Sequence, residues 1–368
     1  MATSKVYFTD FRCHNGVTQL DKLRKLLEKS DFSKLNFEGK FVAIKLHFGE
    51  YGNLAFLRPN YAKVIADFVR ERGGKPFLTD CNTLYVGSRK NALEHIDTAY
   101  LNGYSPFSTG CHIIIADGLK GSDDVEVPIE GGEYCKTAKI GRAVMDADII
   151  ISLAHFKGHE EAGFGGALKN IGMGCGSRAG KMEMHADGKP YVETERCVGC
   201  GACAKICAHD GPQIKDGKCT IDTGKCVGCG RCLAICPKDA IAPTFATSVK
   251  LLNCKIAEYA KAVMADHPTY CINIVRDVSP DCDCHPENDV PIVPDVGMFA
   301  SSDPVAIDLA CAEAVNRQPV MPNCVIAEHT HEEDHFHAVH SNTHWQDLIE
   351  HGKKLGLGSD EFEVVNVH

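Results

Sequence analysis

The sequence predicts an α/β fold, a mostly parallel sheet with helices on both faces. Two observations carry this prediction. Short apolar segments, polar turns and amphipathic segments alternate over the first 155 residues, and the same alternation returns after a cysteine-rich segment at 191–245. Such alternation places the strands in one sheet and the helices on its faces. We therefore expect a discontinuous α/β domain, residues 1–190 and 246–368, into which residues 191–245 are inserted.

The individual elements follow from local patterns. In residues 61–69, apolar side chains recur with the spacing of a helix that has one buried face, and Gly73 and Gly74 end it. After the cysteine-rich segment we expect a helix near 247–265 and another that begins at Pro304, because proline suits the first helical turn. The predicted strands are 5–8, 41–46, 76–79, 112–116, 149–153 and 270–275.

The composition narrows the class of protein. The chain has 368 residues, 44% of them hydrophobic, and its 39 basic and 49 acidic residues give a formal net charge of −10. This charge repels phosphate backbones and anionic membrane surfaces, so we expect no nucleic acid and no membrane as partner. We also expect a cytoplasmic protein, since no apolar run reaches about 18 residues and the first residues do not resemble a secretory signal.

The spacing of the cysteines indicates metal chemistry. Twenty cysteines are many for the cytoplasm, where thiols stay reduced. Eight of them form the run Cys-x-x-Cys-x-x-Cys-x-x-x-Cys twice. In bacterial two-cluster ferredoxins this spacing holds two 4Fe-4S clusters, and the fourth cysteine of each run ligates the other cluster. The predicted ligand sets are Cys197, Cys200, Cys203 and Cys236 for one cluster, and Cys226, Cys229, Cys232 and Cys207 for the second.

We thus predict a bacterial-ferredoxin-like two-cluster module at 191–245. Glycines at 199, 201, 228 and 230 keep its loops compact and leave backbone N–H groups free for the cluster sulfurs. The first run has Ala208 where the bacterial pattern has proline, which removes no ligand. A pair of tetrahedral zinc sites is the alternative. Cys219 belongs to neither run and is expected to be structural.

Polar side chains follow four predicted strands at their carboxyl ends. Ligands of open α/β sheets bind beyond these ends, so we expect a shared small-molecule site there, although polar loops are also common without function. The residues are Asp10, Arg12 and His14 after the first strand, His47 and Glu50 after the second, Asp80, Cys81 and Asn82 after the third, and His155, Lys157 and His159 after the fifth.

A glycine-rich stretch follows the fifth predicted strand. Its glycines let backbone amides approach an anion or cofactor, and they are Gly163, Gly165 and Gly166. Histidine passes protons near neutral pH, and lysine neutralises an anion or forms a covalent bond. We predict that four catalytic residues converge on one pocket, namely His47, His159, Lys169 and His185. The alternative is that the lysine pairs with a neighbouring glutamate and the histidines cap turns.

These features resemble the uncharacterised iron–sulfur-centre proteins of domain of unknown function family 362, with a ferredoxin module inserted. The resemblance covers essentially the whole chain and implies the fold and the clusters, but no activity. The segments that resemble the family are residues 44–50, the glycine-rich stretch through Lys169 and Asn170, both cysteine runs, residues 282–285 and residues 302–308.

The same region is distantly similar to the nickel-dependent lactate racemase superfamily. Its motif reads histidine, a glycine-rich turn, lysine and a further histidine, which correspond here to His159, Lys169 and His185. The resemblance implies that His159 is an acid–base residue, that Lys169 carries a tethered nickel cofactor and that His185 ligates nickel. This sequence has Gly-Gly-Ala-Leu-Lys where the racemase has Gly-Gly-Arg-Lys, so we carry over the position of the site and leave its cofactor open.

Two further groups are candidates for metal binding. Cys282 and Cys284 supply half of a metal site, or they are buried free thiols; as ligands they should lie near the carboxyl edge of the sheet. Their possible complements are Cys81, Cys175, Cys254 and Cys271. A run of histidines contains pairs four residues apart that could bind a metal ion, and the alternative is a solvated surface segment. The run consists of His329, His331, His335, His337, His340 and His344.

The predicted function is an iron–sulfur oxidoreductase that passes electrons between two 4Fe-4S clusters and a small-molecule substrate at the carboxyl edge of the sheet. A carrier of electrons alone needs little beyond the cysteine-rich segment. The alternatives are a non-enzymatic electron-transfer protein and a racemase-like isomerase with a lysine and histidine site. We expect an electron donor or acceptor protein as partner. The glycine fingerprint of NAD-binding folds is missing, and a flavin or additional metal stays open.

Overall fold

The structure is a computed structural model that describes residues 3–84, 87–186, 189–244, 247–328 and 333–368. The predicted boundary between residues 245 and 246 lies outside the described residues, as do His329 and His331. No helix in the described ranges is both long enough and apolar enough to cross a membrane.

The strands, in chain order, are β1 (Ser4–Asp10), β2 (Phe41–Lys45), β3 (Lys75–Asp80), β4 (Ile113–Ile115), β5 (Asp124–Pro128), β6 (Thr137–Gly141), β7 (Ile149–His155), β8 (Lys157–His159), β9 (Gly163–Gly165), β10 (Pro190–Val192), β11 (Pro212–Lys215), β12 (Lys218–Ile221), β13 (Ile241–Pro243), β14 (Thr269–Val275), β15 (Gly297–Ser301) and β16 (Phe362–Asn366). Each of the six predicted strands overlaps one of them, although β2 and β4 are shorter than the predicted 41–46 and 112–116.

The helices are α1 (Gln19–Lys29), α2 (Pro59–Arg70), α3 (Ala92–Leu101), α4 (Pro106–Thr109), α5 (Arg142–Met145), α6 (Ala167–Cys175), α7 (Arg178–Ala186), α8 (Ala202–Ile206), α9 (Arg231–Ile235), α10 (Val249–Met264), α11 (Pro304–Asn316), α12 (His335–Val339) and α13 (Gln346–Lys354), with a 3-10 turn at Asp31–Lys34. The predicted helices near 61–69, 247–265 and 304 are confirmed as α2, α10 and α11.

One mostly parallel sheet organises the fold, as the sequence predicted. Within the described residues its strand order is β16-β1-β15-β14-β7-β2-β3-β4. Strand β15 is antiparallel to both of its neighbours, and the remaining neighbours in the sheet run parallel. Strands β14 and β7 are adjacent although the cysteine-rich segment separates them in sequence, so chain from both sides of that segment builds one sheet.

Helices cover both faces of this sheet. Side chains alternate along a strand, and β14 therefore sends Ile272 to one hydrophobic core and Cys271 to the other. Helices α1, α2 and α3 contribute to the first core, whereas α6, α10, α11 and α13 contribute to the second. The predicted fold class is confirmed.

The cysteine-rich segment repeats one local conformation. In each run a glycine with positive φ directly precedes a short helix that carries the third cysteine: Gly201 precedes α8 and Gly230 precedes α9. Strand β10 pairs with β13, and β11 pairs with β12, both antiparallel. The segment has a small core of its own, to which Leu84 and Met182 from outside the segment contribute.

Candidate active site and cysteine cavities

A cavity of about 70 Å³ lies at the carboxyl ends of β2, β3 and β7, and we call it the rim cavity. These three strands are neighbours in the sheet, or separated by one strand, so the side chains that follow them meet at one edge. The lining residues relevant to chemistry are Lys45, His47, Asp80, Cys81, Arg89, His155, Lys157, Gly165, Gly166, Lys169, Lys181, Cys282, Asp283 and Cys284.

The first strand does not contribute to this cavity, contrary to the expectation of four polar strand ends at one site. Asp10, Arg12 and His14 line a separate cavity with residues of α1 and His368. The sheet order explains the difference, because β15 and β14 lie between β1 and β7. The predicted shared site therefore draws on three strand ends.

The rim cavity carries an excess of positive charge among its described lining residues. Its cationic side chains are Lys45, Arg89, Lys157, Lys169 and Lys181, against the carboxylates of Asp80 and Asp283. Lys45 Nζ lies 3.2 Å from Asp80 Oδ1, and both side chains are buried. Both Asp283 oxygens lie 2.9 Å from His155 Nδ1. Since five cationic side chains face two carboxylates in this lining, the cavity favours an anionic ligand.

Arg89 is one of the buried and paired cations of this cavity. Its side chain is 1% exposed, and its Nε donates to Glu50 Oε2 at 2.9 Å. Its Nη1 lies 2.9 Å from Nε2 of His47, while Nη2 has no hydrogen-bond partner among the described residues. Burial, and then the Arg89 charge, hold the pKa of His47 well below its ordinary value, so the imidazole is neutral at pH 7. A buried donor without a partner beside a cavity is suited to bind a ligand oxygen.

Lys157 lies beside two thiols. Burial opposes its charge, but Cys282, Asp283 and Cys284 raise the pKa of Lys157 above its ordinary value. In return, a hydrogen bond from Cys284, followed by the charges of Lys157 and Lys169, lowers the pKa of Cys282 well below that of a free thiol. A Cβ on Gly165 would lie 2.5 Å from Lys157 Nζ, so the glycine admits the lysine to the cavity.

The loop that carries Cys282 and Cys284 is held against the carboxyl edge of the sheet. Glu50 N donates to Asp283 O at 2.9 Å, and Asn53 Nδ2 donates to the carbonyl oxygen of His285 at 2.9 Å. Both cysteines line the rim cavity, which is the location expected of ligands. Of their four suggested complements, Cys81 lines the same cavity.

Two of the four predicted catalytic residues, His47 and Lys169, line the rim cavity together. His159 and His185 are buried and are not part of its lining. The chain reverses after β8, so that His159 Nδ1 accepts the backbone N–H groups of Glu161 and Ala162 at 3.1 Å. His185 Nδ1 lies 3.2 Å from a carboxylate oxygen of Glu161. Two of the four side chains thus meet in the cavity as predicted, and the other two contact the turn after β8 instead.

The three glycines that were predicted to bind a cofactor do not all line the rim cavity. Gly165 and Gly166 line the cavity. Gly163 does not; its φ is +85°, and a Cβ there would lie 2.8 Å from Cβ of Trp345. Its place in the β8–β9 hairpin accounts for that glycine without a ligand.

The eight cysteines of the two runs line two cavities in the cysteine-rich segment. Each cavity combines three cysteines of one run with the fourth of the other. We call them the first thiol cavity, with Cys197, Cys200, Cys203 and Cys236, and the second thiol cavity, with Cys207, Cys226, Cys229 and Cys232. Backbone N–H groups of Cys219 and Ala240 donate to sulfurs of the first set, both at 3.2 Å. Cys219 also lines that cavity, with its Sγ 3.5 Å from Cys203 Sγ.

One wall separates the cysteine-rich segment from the rim cavity. On α7, Lys181 lines the rim cavity and the next residue, Met182, packs into the core of the cysteine-rich segment. In the same way, Thr83 lines the rim cavity and the next residue, Leu84, packs into the core of the cysteine-rich segment. Arg178 fixes this wall: its Nη1 donates to Thr83 O at 2.8 Å, and its stem packs on Gly230 beside the second thiol cavity.

The histidine run has no shared metal site among its described members. His335 Nε2 lies 2.9 Å from Gln318 O, and His340 Nε2 lies 3.1 Å from Pro280 O. His337 and His344 contact Thr343 and Asp347, respectively. Because each imidazole faces a different partner, the described part of the run fits structural and surface roles.

The sequence profile described as Domain of unknown function (DUF362) matches residues 42–313, from β2 to within α11. The chain belongs to this family. The match therefore spans both the rim cavity and the cysteine-rich segment of this DUF362 protein.

Other proteins are similar to parts of the DUF362 protein. A thylakoid-associated protein of Synechocystis sp. is 27% identical over 176 residues, 44% of this chain and 49% of the relative, so the match spans about half the length of that relative. The lactate racemase apoprotein from Thermoanaerobacterium thermosaccharolyticum aligns with a TM-score of 0.44 and 11% identity, over 85% of this chain and 57% of that one. A Thermotoga maritima protein aligns with a TM-score of 0.37 and 13% identity, over 77% and 56%.

Proposed function

We propose that this DUF362 protein is an iron–sulfur oxidoreductase that exchanges electrons between two 4Fe-4S clusters and an anionic small molecule in the rim cavity. The proposal rests on the wall that the rim cavity shares with the core of the cysteine-rich segment, to which cysteines of both runs belong. At Lys181 and Met182, neighbouring residues of one helix line the rim cavity and the core of the cysteine-rich segment, respectively. Redox centres and a substrate so placed are suited to exchange electrons.

The composition of each thiol cavity supports a cluster as its occupant. Four thiols, three from one run and one from the other, are the ligand set of a bacterial two-cluster ferredoxin. The backbone N–H groups that reach Cys197 and Cys236 sulfurs are of the kind that tune such clusters. When bound, the clusters supply one-electron transfer.

The residues of the rim cavity supply the remaining functions. The lysines and Arg89 neutralise an anionic ligand, and Arg89 Nη2 provides a buried donor for one of its oxygens. Transfer of electrons to an organic substrate is accompanied by protons. The ammonium group of Lys157, whose pKa is raised, carries a proton that such a reaction can take up. His47 is held neutral, and its two ring nitrogens face Arg89 Nη1 and the backbone N–H of Gly49, so it positions the guanidinium.

A partner protein is part of this proposal, as donor or acceptor of the electrons. Val198 and Val227, which follow the first cysteine of each run, are 59% and 57% exposed. An apolar side chain on the surface next to each thiol cavity is suited to a transient contact with such a protein.

Anion binding at Arg89 tests the proposed substrate site. We expect anaerobically reconstituted protein to bind oxalate or inorganic phosphate in calorimetric titrations, and Arg89→Gln to weaken binding at least tenfold, because a buried charged hydrogen bond contributes about 1.5–3 kcal/mol. Arg317→Gln is the matched control, since Arg317 is exposed and pairs with Glu313 on α11. Native mass spectrometry of protein purified without oxygen then identifies the natural anion, and reoxidation of dithionite-reduced clusters by that anion is measured by EPR.

The outcomes separate the alternatives. Protein with eight irons per chain whose clusters are not reoxidised by any retained or added anion would support an electron-transfer protein.

A racemase-like isomerase is the second candidate, because Lys169 and His47 line the cavity together. It would convert the retained molecule equally well after Cys226→Ala has removed a cluster. Either result would overturn the oxidoreductase proposal.

A further inference from the structure

A cluster of metal-ligating side chains lies next to the rim cavity and outside the two cysteine runs. A thiol sulfur, a ring nitrogen and a carboxylate oxygen, from Cys284, His285 and Glu160, all lie within 4.8 Å of one another. Among the described residues, no second group of three or more metal-ligating side chains has its ligand atoms this close together. Two residues come from the loop after β14 and the third from the turn after β8, so the tertiary fold assembles the group.

The loop that provides two of the three side chains is fixed before any ligand binds. His285 N donates to Cys282 O at 3.1 Å, and the His285 carbonyl accepts from Asn53 Nδ2 at 2.9 Å. On the opposite side, a Cβ on Gly158 would lie 2.0 Å from Pro280 O, so the β8 strand passes directly against this loop. A site held in this way does not need to reorganise its backbone to take an ion.

The carboxylate of Glu160 is incompletely satisfied. Its Oε1 lies 3.0 Å from His285 Nε2. Its Oε2 is buried, lies 3.7 Å from His159 Nδ1 and has no hydrogen-bond partner among the described residues. A buried carboxylate oxygen without a partner is unfavourable unless a cation or a donor meets it. Cys284 is adjacent and also lines the rim cavity.

We propose that Cys284, His285 and Glu160 form a mononuclear site for a divalent metal ion of the zinc type, separate from the two clusters. Thiolate, imidazole and carboxylate together are ligands that Zn²⁺ accepts, and two of the three carry the negative charge that balances the ion. Three protein ligands leave one position of a tetrahedral ion for water or for the anion of the rim cavity. The site binds metal whether or not the cysteine-rich segment carries clusters.

Metal binding is measured with Zn²⁺ itself. Anaerobic protein is stripped with a weak chelator, dialysed against buffered Zn²⁺, and its zinc and iron are counted by inductively coupled plasma mass spectrometry. We expect one zinc per chain, with X-ray absorption showing one sulfur ligand among nitrogen and oxygen ligands. Cys284→Ser, His285→Gln and Glu160→Gln should each weaken zinc binding at least tenfold and leave the iron count unchanged.

The histidine run supplies the matched control, because His340 contacts Pro280 and Asp281 of the same loop without belonging to the group. The double variant His340→Gln, His344→Gln should retain one zinc with wild-type affinity. Zinc that is lost in this control but kept in Cys284→Ser would overturn the proposal, as would wild-type protein that takes up iron and no zinc. Unchanged iron counts and far-ultraviolet circular dichroism exclude misfolding as the cause of a loss. Because zinc and iron are counted separately, failure of this site and failure of the cluster proposal are distinguishable.

Discussion

At the scale of single residues, Gly166 occupies a position with no room for a side chain. A Cβ there would lie 2.3 Å from Asp308 Oδ1. The Asp308 carboxylate accepts the N–H groups of Ala167 at 2.7 Å and Leu168 at 2.9 Å, and thereby satisfies the first turn of α6. Burial raises the pKa of Asp308 to about 6. Gly166 therefore has a structural role in addition to its place in the cavity lining.

Replacement of Gly166 by alanine should lower the free energy of unfolding by about 2 kcal/mol, because the added methyl group displaces Asp308 from α6. Anaerobic denaturation in urea measures this change. Gly211→Ala is the control, since the nearest atom to a Cβ at Gly211 lies at 3.6 Å, an ordinary contact. Equal stability of the two variants would contradict the assignment of Gly166.

At the scale of elements, a buried ion pair joins two helices to a turn. Glu258 of α10 accepts backbone N–H groups of residues 133–135 at distances from 2.7 Å. His351 Nε2 of α13 lies 3.2 Å from the same carboxylate. Hydrogen bonds to Cys254 and then to Glu258 raise the pKa of His351 to about 9. The charged imidazole thus stabilises the packing of α13 on α10.

The pH dependence of this pair follows from the direction of the shift. A raised pKa in the folded state means that the contribution is fully present below the ordinary value of 6.5 and is lost as the pH rises through about 9. We expect wild-type stability to fall by roughly 1 kcal/mol more than that of His351→Gln between these pH values. Denaturation at a series of pH values measures the difference. Parallel pH profiles of the two proteins would contradict the pairing.

At the scale of the whole molecule, the crossed arrangement of the two cysteine runs has a measurable consequence. Each thiol cavity takes its fourth cysteine from the other run, so Cys207 lies with Cys226 although the two belong to different runs. Cys236 in turn lies with Cys197. Neither run alone therefore supplies all four cysteines of one cavity.

Cysteine variants test both the clusters and their crossing. We expect about eight irons per chain in anaerobically reconstituted protein and about four in Cys226→Ala. Cys207→Ala should remove the same EPR signal as Cys226→Ala, and Cys236→Ala should remove the other. Exposed Cys13, changed to alanine, is the control and should lose no iron. Stoichiometric zinc without iron in all preparations would refute the cluster assignment.

The sequence by itself determined the features that depend on neighbouring residues. Strand β7 and helix α2 follow from local hydrophobic patterns, and the eight cysteine positions follow from spacing within two short runs. Lys45 also carries a local signal, because a charged residue that ends the apolar strand β2 is seldom buried without a partner. These features are local, so the order of residues along the chain is enough to reveal them.

Only the tertiary structure decided which of these residues meet. Arg89 and Lys181 lie in segments without a periodic pattern that points to a site, yet both line the rim cavity with Lys45. The reversal after β8 removes His159 from the lining, and the sheet order moves the end of β1 to another cavity. Side chains distant in sequence become neighbours only through strand order and loop packing. Local spacing does not encode either of them, and for that reason the composition of the site had to come from the fold.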